Sequence, residues 1–306
     1  MVSRQSRRGR DISGILLLDK PVGYTSNQVL QRVKRLYNAK KLGHTGSLDP
    51  IATGLLPLCF GEATKVSRFL LDADKCYLST FQLGQSTNTC DTEGEVISER
   101  PVEINRKQIE QALSEFMGDI QQIPPMHSAI KRNGQPLYKL ARQGIELELE
   151  PRKVTVHNLK LINLSQDVCS LELEVSCSKG FYIRSLARDL GEALGCGAHV
   201  SALRRLAVGG FQINDAISLN ELEGIEDAAQ LDQYLMQADD GLGHLPGVQL
   251  SPDAAYYLCR GQAVRAADSP ATGWVRLYTD GMRFLGVGQV MDDGRIAPKR
   301  LFHGGS

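Results

Sequence analysis

A chain of 306 residues with 42% hydrophobic and 23% charged side chains can bury a sizeable core and divides into more than one domain, as ordinary globular proteins do. Its 35 Lys and Arg balance 35 Asp and Glu, so no global excess of charge draws it to a polyanion. With no apolar run of about 18 residues, it holds no helical membrane span.

That balance conceals an uneven distribution. Residues 1–50 carry ten Lys and Arg against three acids, a local net of +7, and local fields rather than totals govern polyanion binding. Met1 to Arg10 hold Arg4, Arg7, Arg8 and Arg10 with no apolar stretch behind them, so residues 1–10 read as a disordered basic tail rather than a signal peptide. Residues 14–20 read as a buried strand that Pro21 and Gly23 stop. Thr25 or Ser26 then caps a helix through about Tyr37, with Val29, Val33, Leu36 and Tyr37 on its buried face. Residues 41–57 form a loop with one carboxylate, Asp49, among glycine, hydroxyl and apolar residues. Gly43, Gly46 and Gly54 permit close approach of another group, and Pro50 keeps Asp49 out of helical geometry. A carboxylate walled by Ile51, Leu55 and Leu56 needs a cation or strong donors to stay ionised. The plain alternative is an Asp that caps a buried turn.

A helix over residues 62–72 turns Val66, Phe69 and Leu70 inward, and a strand over 75–84 places Tyr77, Phe81 and Leu83 on one face. Tyr77 is then either a core aromatic or a plate for a nucleobase. Residues 87–94 are a polar turn that contains Asp91, and 105–117 an amphipathic helix on Ile109, Leu113 and Phe116. Residues 126–146 leave the core. Asn133-Gly134 marks a tight turn, Gly144 ends a short helix, and Lys131, Arg132, Lys139 and Arg142 make a basic edge, which solvent alone could also explain. Residues 169–177 alternate strictly, as a half-buried strand does.

After a turn at Lys179-Gly180, Phe181-Tyr182-Ile183-Arg184 lead into a helix carrying Leu186, Leu190 and Leu194 and ended by Gly195. Arg184 thus stands near a strand-to-helix junction, reaching a cleft or pairing with Asp189 or Glu192 on the surface. Residues 215–240 carry eight acids and no Lys or Arg and are helical in part; residues 241–247 are the best linker in the chain. Beyond them, Thr279-Asp280-Gly281 and Asp292-Asp293-Gly294 are hairpin turns joining 274–278, 284–290 and 295–301. A small β-barrel bearing Arg260, Arg265, Arg276, Arg283, Lys299 and Arg300 follows from this pattern.

The string His44-Thr45-Gly46-Ser47-Leu48-Asp49-Pro50 closely resembles the catalytic loop of the TruB family of tRNA pseudouridine synthases. Four further blocks resemble that family in its own order: the Tyr77 segment, the 126–146 excursion, Gly180-Phe181-Tyr182-Ile183-Arg184-Ser185-Leu186, and residues 197–205. Phe181 departs from the pattern, where a small or hydroxyl residue is expected. The resemblance implies an α+β fold: a pseudouridine synthase core of mixed sheet, helices and loops over 11–246, with 126–146 as a thumb-like insertion that closes on RNA. Residues 247–306 resemble the RNA-binding PUA domain of bacterial members.

By the same resemblance Asp49 is the catalytic residue, Arg184 its ion-pair partner, and Tyr77 the ring that stacks on the target uracil. His44, Lys20, Tyr182 and Leu203 complete the substrate site, and Lys131, Arg132, Lys139 and Arg142 touch RNA. The implied reaction is isomerisation of uridine to pseudouridine at position 55 in the T-loop of tRNA, with the acceptor stem on the C-terminal domain. A role in tRNA folding accompanies it.

The residues agree with such chemistry. The isomerisation breaks an N-glycosidic bond and rejoins the base through carbon without redox change, so a single carboxylate suffices. Neither a nucleotide-binding motif, a His-Glu-x-x-His pair nor a Cys-x-x-Cys occurs, so no cofactor and no metal are expected. Seven cysteines, an odd number, suit reduced thiols in the cytoplasm, and a monomer without membrane association is expected. The sequence leaves open whether Asp49 attacks the sugar, adds to the uracil ring or acts as a base. Two other functions stay open here: a non-catalytic tRNA-binding or folding protein on the same scaffold, and a carboxylate glycosidase, for which Asp91 is the one candidate second acid.

Overall fold

The computed structural model describes residues 9–302 apart from 133, 142 and 146. Most of the expected basic tail, Asn133 of the expected turn and Arg142 therefore lie outside the described residues. The chain forms two compact bodies. Of the described residues, one comprises those up to Leu48, Leu55–Asp72 and those from Gly209 on; the other comprises those in Asp49–Gly54 and Ala73–Val208. Among the described residues no helix is long and apolar enough to cross a membrane.

In the first body the strand Gly14–Lys20 ends at Pro21 and pairs in parallel with Ile217–Ser218. Helix Ser26–Leu36 starts from a capping box: the Thr25 side chain accepts from the Gln28 amide, and the Gln28 side chain accepts from the Thr25 amide. Such a cap is worth about 1 kcal/mol. Val29, Leu30 and Val33 are buried, whereas Leu36, expected on that face, is half-exposed. Tyr37 closes the helix against Phe60, ring centroids 4.7 Å apart, and donates its hydroxyl to the Leu231 carbonyl at 2.7 Å. The expected helix over 62–72 is instead a 3-10 turn, Gly61–Lys65, followed by a separate helix, Ser67–Asp72. Gly61 opens the 3-10 turn: at φ +49° a Cβ there would lie 2.4 Å from the Ile12 carbonyl oxygen.

The C-terminal strands Gly273–Tyr278, Phe284–Val290 and Ile296–Leu301 follow the expected pattern, and a parallel strand, Gly247–Gln249, adds a fourth. Helix Pro252–Cys259 contributes Leu258 to their core with Val248, Val275, Leu277 and Ile296. Residues 241–247 do not form the free linker that their glycines suggest. Leu242 is fully buried with Val66 and Val287, the Tyr278 hydroxyl donates to Asp239 at 2.7 Å, and Lys65 Nζ donates to the Leu301 carbonyl at 2.7 Å.

The second body is built on a sheet whose order is the start of strand Ala52–Phe60, then Ala198–Val208, Lys75–Leu83, Ser170–Cys177, Arg152–Leu164 and Gly118–Gln122. The first pairing is parallel and the others antiparallel. Ser170–Cys177 alternates half-buried and buried residues as its pattern predicts. Arg152–Leu164 gives no such signal, because irregularities at Val156/Asn158 and Leu161/Asn163 reset the side-chain alternation. Helix Ile183–Ala193 packs on the strand Ala198–Val208 with Leu186, Ala187 and Leu190 buried. Gly191 lets that helix come close, since a Cβ there would lie 2.2 Å from the Ala198 nitrogen.

Candidate active site

The Asp49 segment is a shorter loop than its composition suggests. Leu42–His44 and Ala52–Phe60 are strands, leaving residues 45–51 between them. The apolar run after Asp49 prefers a buried strand, and Gly54 makes that strand possible. At φ +102° it passes so near its neighbour that a Cβ would sit 2.3 Å from the Arg205 carbonyl oxygen. Before Asp49, the Leu48 amide donates to Ser26 Oγ at 2.7 Å, and Ser26 Oγ donates to the Leu48 carbonyl at 3.1 Å. After it, the Ala52 amide donates to the Asp49 carbonyl at 3.0 Å, closing a turn.

Arg184, 135 positions further along the chain, reaches this turn. Its Nη2 lies 2.9 Å from Asp49 Oδ2 and its Nη1 lies 3.4 Å from Asp91 Oδ2. The same guanidinium donates to the Thr89 carbonyl at 3.2 Å and to the His127 carbonyl at 2.7 Å. The Arg184 side chain is only 7% exposed and Asp91 only 3%, while Asp49 is 40% exposed. A buried cation thus presents one accessible carboxylate and braces it from behind. The surface alternative does not occur: Asp189 pairs with Arg188, and Glu192 with Arg100. Asp91 is fully engaged, since its Oδ1 accepts from Thr89 Oγ1 at 2.6 Å and from the Glu93 amide at 3.1 Å. An acid so enclosed cannot serve as the second, substrate-facing carboxylate of a glycosidase.

The other ring residues stand in the same body. Tyr77 faces Arg205 in register across the adjacent strand, and Arg205 is 1% exposed. Burial pushes the Tyr77 hydroxyl above its usual range; Arg205 pulls it down and Asp49 adds to the rise. The net direction keeps the phenol protonated at neutral pH. Tyr182 caps helix Ile183–Ala193 with its backbone, and burial raises its hydroxyl too, offset in part by Ser128 and Arg152. Leu203 is buried, opposite Ala52 on one side and Ser79 on the other. Asp49, Arg184, Tyr77, Tyr182 and Leu203 therefore come together in one body, and Arg184 meets Asp49 directly.

Comparison with known proteins completes the assignment. Residues 34–183 match the model "TruB family pseudouridylate synthase (N terminal domain)", 184–242 match "tRNA pseudouridylate synthase B C-terminal domain", and 246–302 match "Pseudouridine synthase II TruB, C-terminal". The chain belongs to the TruB family of pseudouridylate synthases. Proteins named tRNA pseudouridine synthase B from Stutzerimonas stutzeri (strain A1501) and Pseudomonas aeruginosa (strain UCBPP-PA14) are each 54% identical to it over 303 residues, covering 98% of this chain and 99% of the relative. Among solved structures it resembles a chain of a Cbf5-Nop10-Gar1 complex, with a TM-score of 0.73 and 27% identity over 95% of this chain and 85% of the other. A chain of an H/ACA RNP bound to a substrate RNA containing 2'-deoxyuridine gives 0.72 and 25% over the same shares.

Two residues of the expected substrate set fall in the first body of this TruB-family chain. His44 ends the strand Leu42–His44 opposite Leu58 and is half-buried; Lys20 is fully buried, and its Nζ donates to the carbonyls of Pro21 at 2.8 Å and Tyr24 at 2.6 Å. Of the basic edge, Lys131 and Arg132 lie on a two-residue strand paired with Gln135–Pro136, and Lys139 lies on helix Leu137–Ala141; all three are exposed. Phe181, the departure from the family pattern, is buried core rather than site surface. Sequence reasoning missed Arg205, Thr89 and His127. Arg205 stood in a matched string, but an arginine in the middle of a strand looks like a surface charge. Thr89 and His127 act through backbone carbonyls, which no side-chain pattern reveals.

Proposed function

We propose that the protein isomerises uridine to pseudouridine at position 55 in the T-loop of tRNA. The observation that carries this reading is the accessible Asp49 carboxylate held at 2.9 Å by a buried Arg184. Family membership and relatives named for tRNA support the substrate class. The N1–C1′ bond of the target uridine breaks, the base turns, and a C5–C1′ bond forms; the proton leaving C5 is balanced by one gained at N1. Asp49 is the one carboxylate of its cluster open to a substrate, and Arg184 keeps it ionised and oriented.

The target base must leave the stack at a cost of roughly a few kcal/mol. Stacking on Tyr77 returns about 1–3 kcal/mol of that. Tyr182 and Leu203 complete an apolar pocket that excludes water from the detached base. We assign His44 and Lys20 to the substrate RNA, and Lys131, Arg132, Lys139 and Arg142 of the 126–146 insertion to its phosphates. We assign the acceptor stem to the C-terminal domain, residues 247–306.

Incubating the protein with an unmodified tRNA transcript and mapping pseudouridine tests the reading. Modification at position 55 is expected, and a transcript with cytidine there should remain unmodified. A protein that bound tRNA tightly but left every uridine intact would favour the non-catalytic RNA-folding alternative.

A further inference from the structure

Among the described residues, three helices begin with reciprocal capping boxes, in which a Gln or Glu at the third helical position accepts from the cap residue's own amide: Thr25 with Gln28, Asn105 with Gln108, and Ser218 with Glu221. The helix that carries Arg184 has no such box. Its cap residue, Tyr182, makes no side-chain cap, and its third position is Ser185, whose Oγ donates instead to the Ile123 carbonyl at 2.8 Å. The missing partner comes from 60 residues away. Gln122, 2% exposed at the end of strand Gly118–Gln122, accepts from the Tyr182 amide at 2.8 Å and donates its Nε2 to the Tyr182 carbonyl at 3.1 Å.

We propose that Gln122 is a positioning residue of the active site. Its carboxamide clamps the backbone of Tyr182 at both ends, and so sets the Tyr182 ring and the first turn that aims Arg184 at Asp49. This rests on the reading of Asp49 and Arg184 given above. Only a neutral group with a donor and an acceptor on one carbon fits both backbone groups of one residue. The hydrogen bonds that follow lengthen the seam. Ile123 also accepts from Arg188 Nη2 at 3.0 Å, and His127 accepts from Arg184 Nη2 at 2.7 Å. The chain from Gln122 to His127, which runs into the insertion, is therefore stitched to the first two turns of that helix. Within this seam Gln122 is the residue that acts on the position before the helix, where the entry angle is set.

Gln122→Met removes both hydrogen bonds at similar volume. The single-turnover rate on tRNA should fall about 10- to 100-fold, the scale expected when a reacting group is displaced by about an ångström, with tRNA affinity held within about 3-fold. In an Arg184→Lys background the same change should add less than about 3-fold, because both act on one alignment. Amide exchange of residues 182–184 should accelerate. Gln122→Glu provides a second variant if the Met protein folds poorly. Its ionised form keeps the acceptor and loses the donor, and its neutral form restores both, so its rate relative to wild type should rise as pH falls. Arg152 stands opposite residue 122 in register across the strand pair.

A wild-type rate in Gln122→Met, or losses that multiply in full with Arg184→Lys, would overturn the positioning role. Unchanged exchange at 182–184 would overturn the clamp itself. A wild-type protein that never isomerised tRNA would sink the functional reading instead, and the exchange measurement would still decide the clamp.

Discussion

The Asp49–Arg184 cluster and the basic hairpin over residues 131–141, both of which we assign to RNA, are built by opposite means. In the cluster a 7%-exposed guanidinium meets two carboxylates and two backbone carbonyls drawn from separate segments of the chain. In the hairpin Lys131, Arg132 and Lys139 are exposed, and Leu137 is the one fully buried side chain among its described residues. The first arrangement fixes a direction; the second supplies only a charge. Substitutions in the cluster should therefore act on rate, and those in the hairpin on affinity and its salt dependence.

The largest effect should come from Asp49→Asn, which keeps the shape and removes the charge. Isomerisation should fall to near the detection limit, while tRNA binding stays within about an order of magnitude, roughly 1.4 kcal/mol. Appreciable single-turnover activity in pure Asp49→Asn protein would break the comparison at its centre.

Arg184 comes next. Lys keeps the charge but cannot hold Asp49, Asp91 and two carbonyls with one planar fork, so Arg184→Lys should cost about 10²-fold in rate. Arg184→Met should cost more, because Asp49 and the enclosed Asp91 then lose their cation. With the charged form of Asp49 no longer favoured, the pH at which activity rises should move upward. Rate profiles against pH for wild type, Lys and Met measure this; three superimposable curves would detach Arg184 from the chemistry.

A third substitution tests how the cluster is held. Gly54→Ala puts a methyl group 2.3 Å from the Arg205 carbonyl at a backbone angle hostile to a side chain. It should destabilise the protein by about 2 kcal/mol or more. Because Gly54 follows the Asp49 turn and Arg205 faces Tyr77, the rate should fall with the melting temperature. A variant that melted and reacted like wild type would show that the two strands have slack.

Much of this was legible in the sequence, and for physical reasons. Helix Ser26–Leu36 has its cap and apolar spacing written locally, and Ser170–Cys177 alternates without interruption. Asp49 and Arg184 were visible through matched motifs, and their pairing through the family resemblance alone, because no local pattern links positions 135 apart. What stayed hidden depends on approach rather than pattern. The tight fit at Gly61 comes from the Ile12 backbone, and the burial of Leu242 from Val66 and Val287. The glycines of residues 241–247 look alike whether a segment is free or packed.

The smallest effect, and the sharpest contrast with the cluster, belongs to the hairpin. Replacing Lys131, Arg132 and Lys139 together by Ala removes three exposed charges and breaks one exposed hydrogen bond, from Arg132 Nη1 to the Glu148 carbonyl at 3.1 Å. Exposed interactions of this kind add little to stability, so the melting temperature should hardly move. If these side chains neutralise phosphates, the slope of log affinity against log salt should become shallower by about 0.7–0.9 for each phosphate no longer neutralised, roughly 2–3 in all. Affinity should fall at low salt and converge on wild type as salt rises, because screening removes the same contribution from both proteins. The single-turnover rate at saturating protein should stay within about 2-fold of wild type, since Arg184 is the residue that orients Asp49. Titrating tRNA at several salt concentrations and then measuring the rate at saturation separates the outcomes. An unchanged slope would mean that the hairpin does not grip the backbone. A rate that fell at saturation would mean that the hairpin, like the cluster, helps to fix the geometry of the reaction.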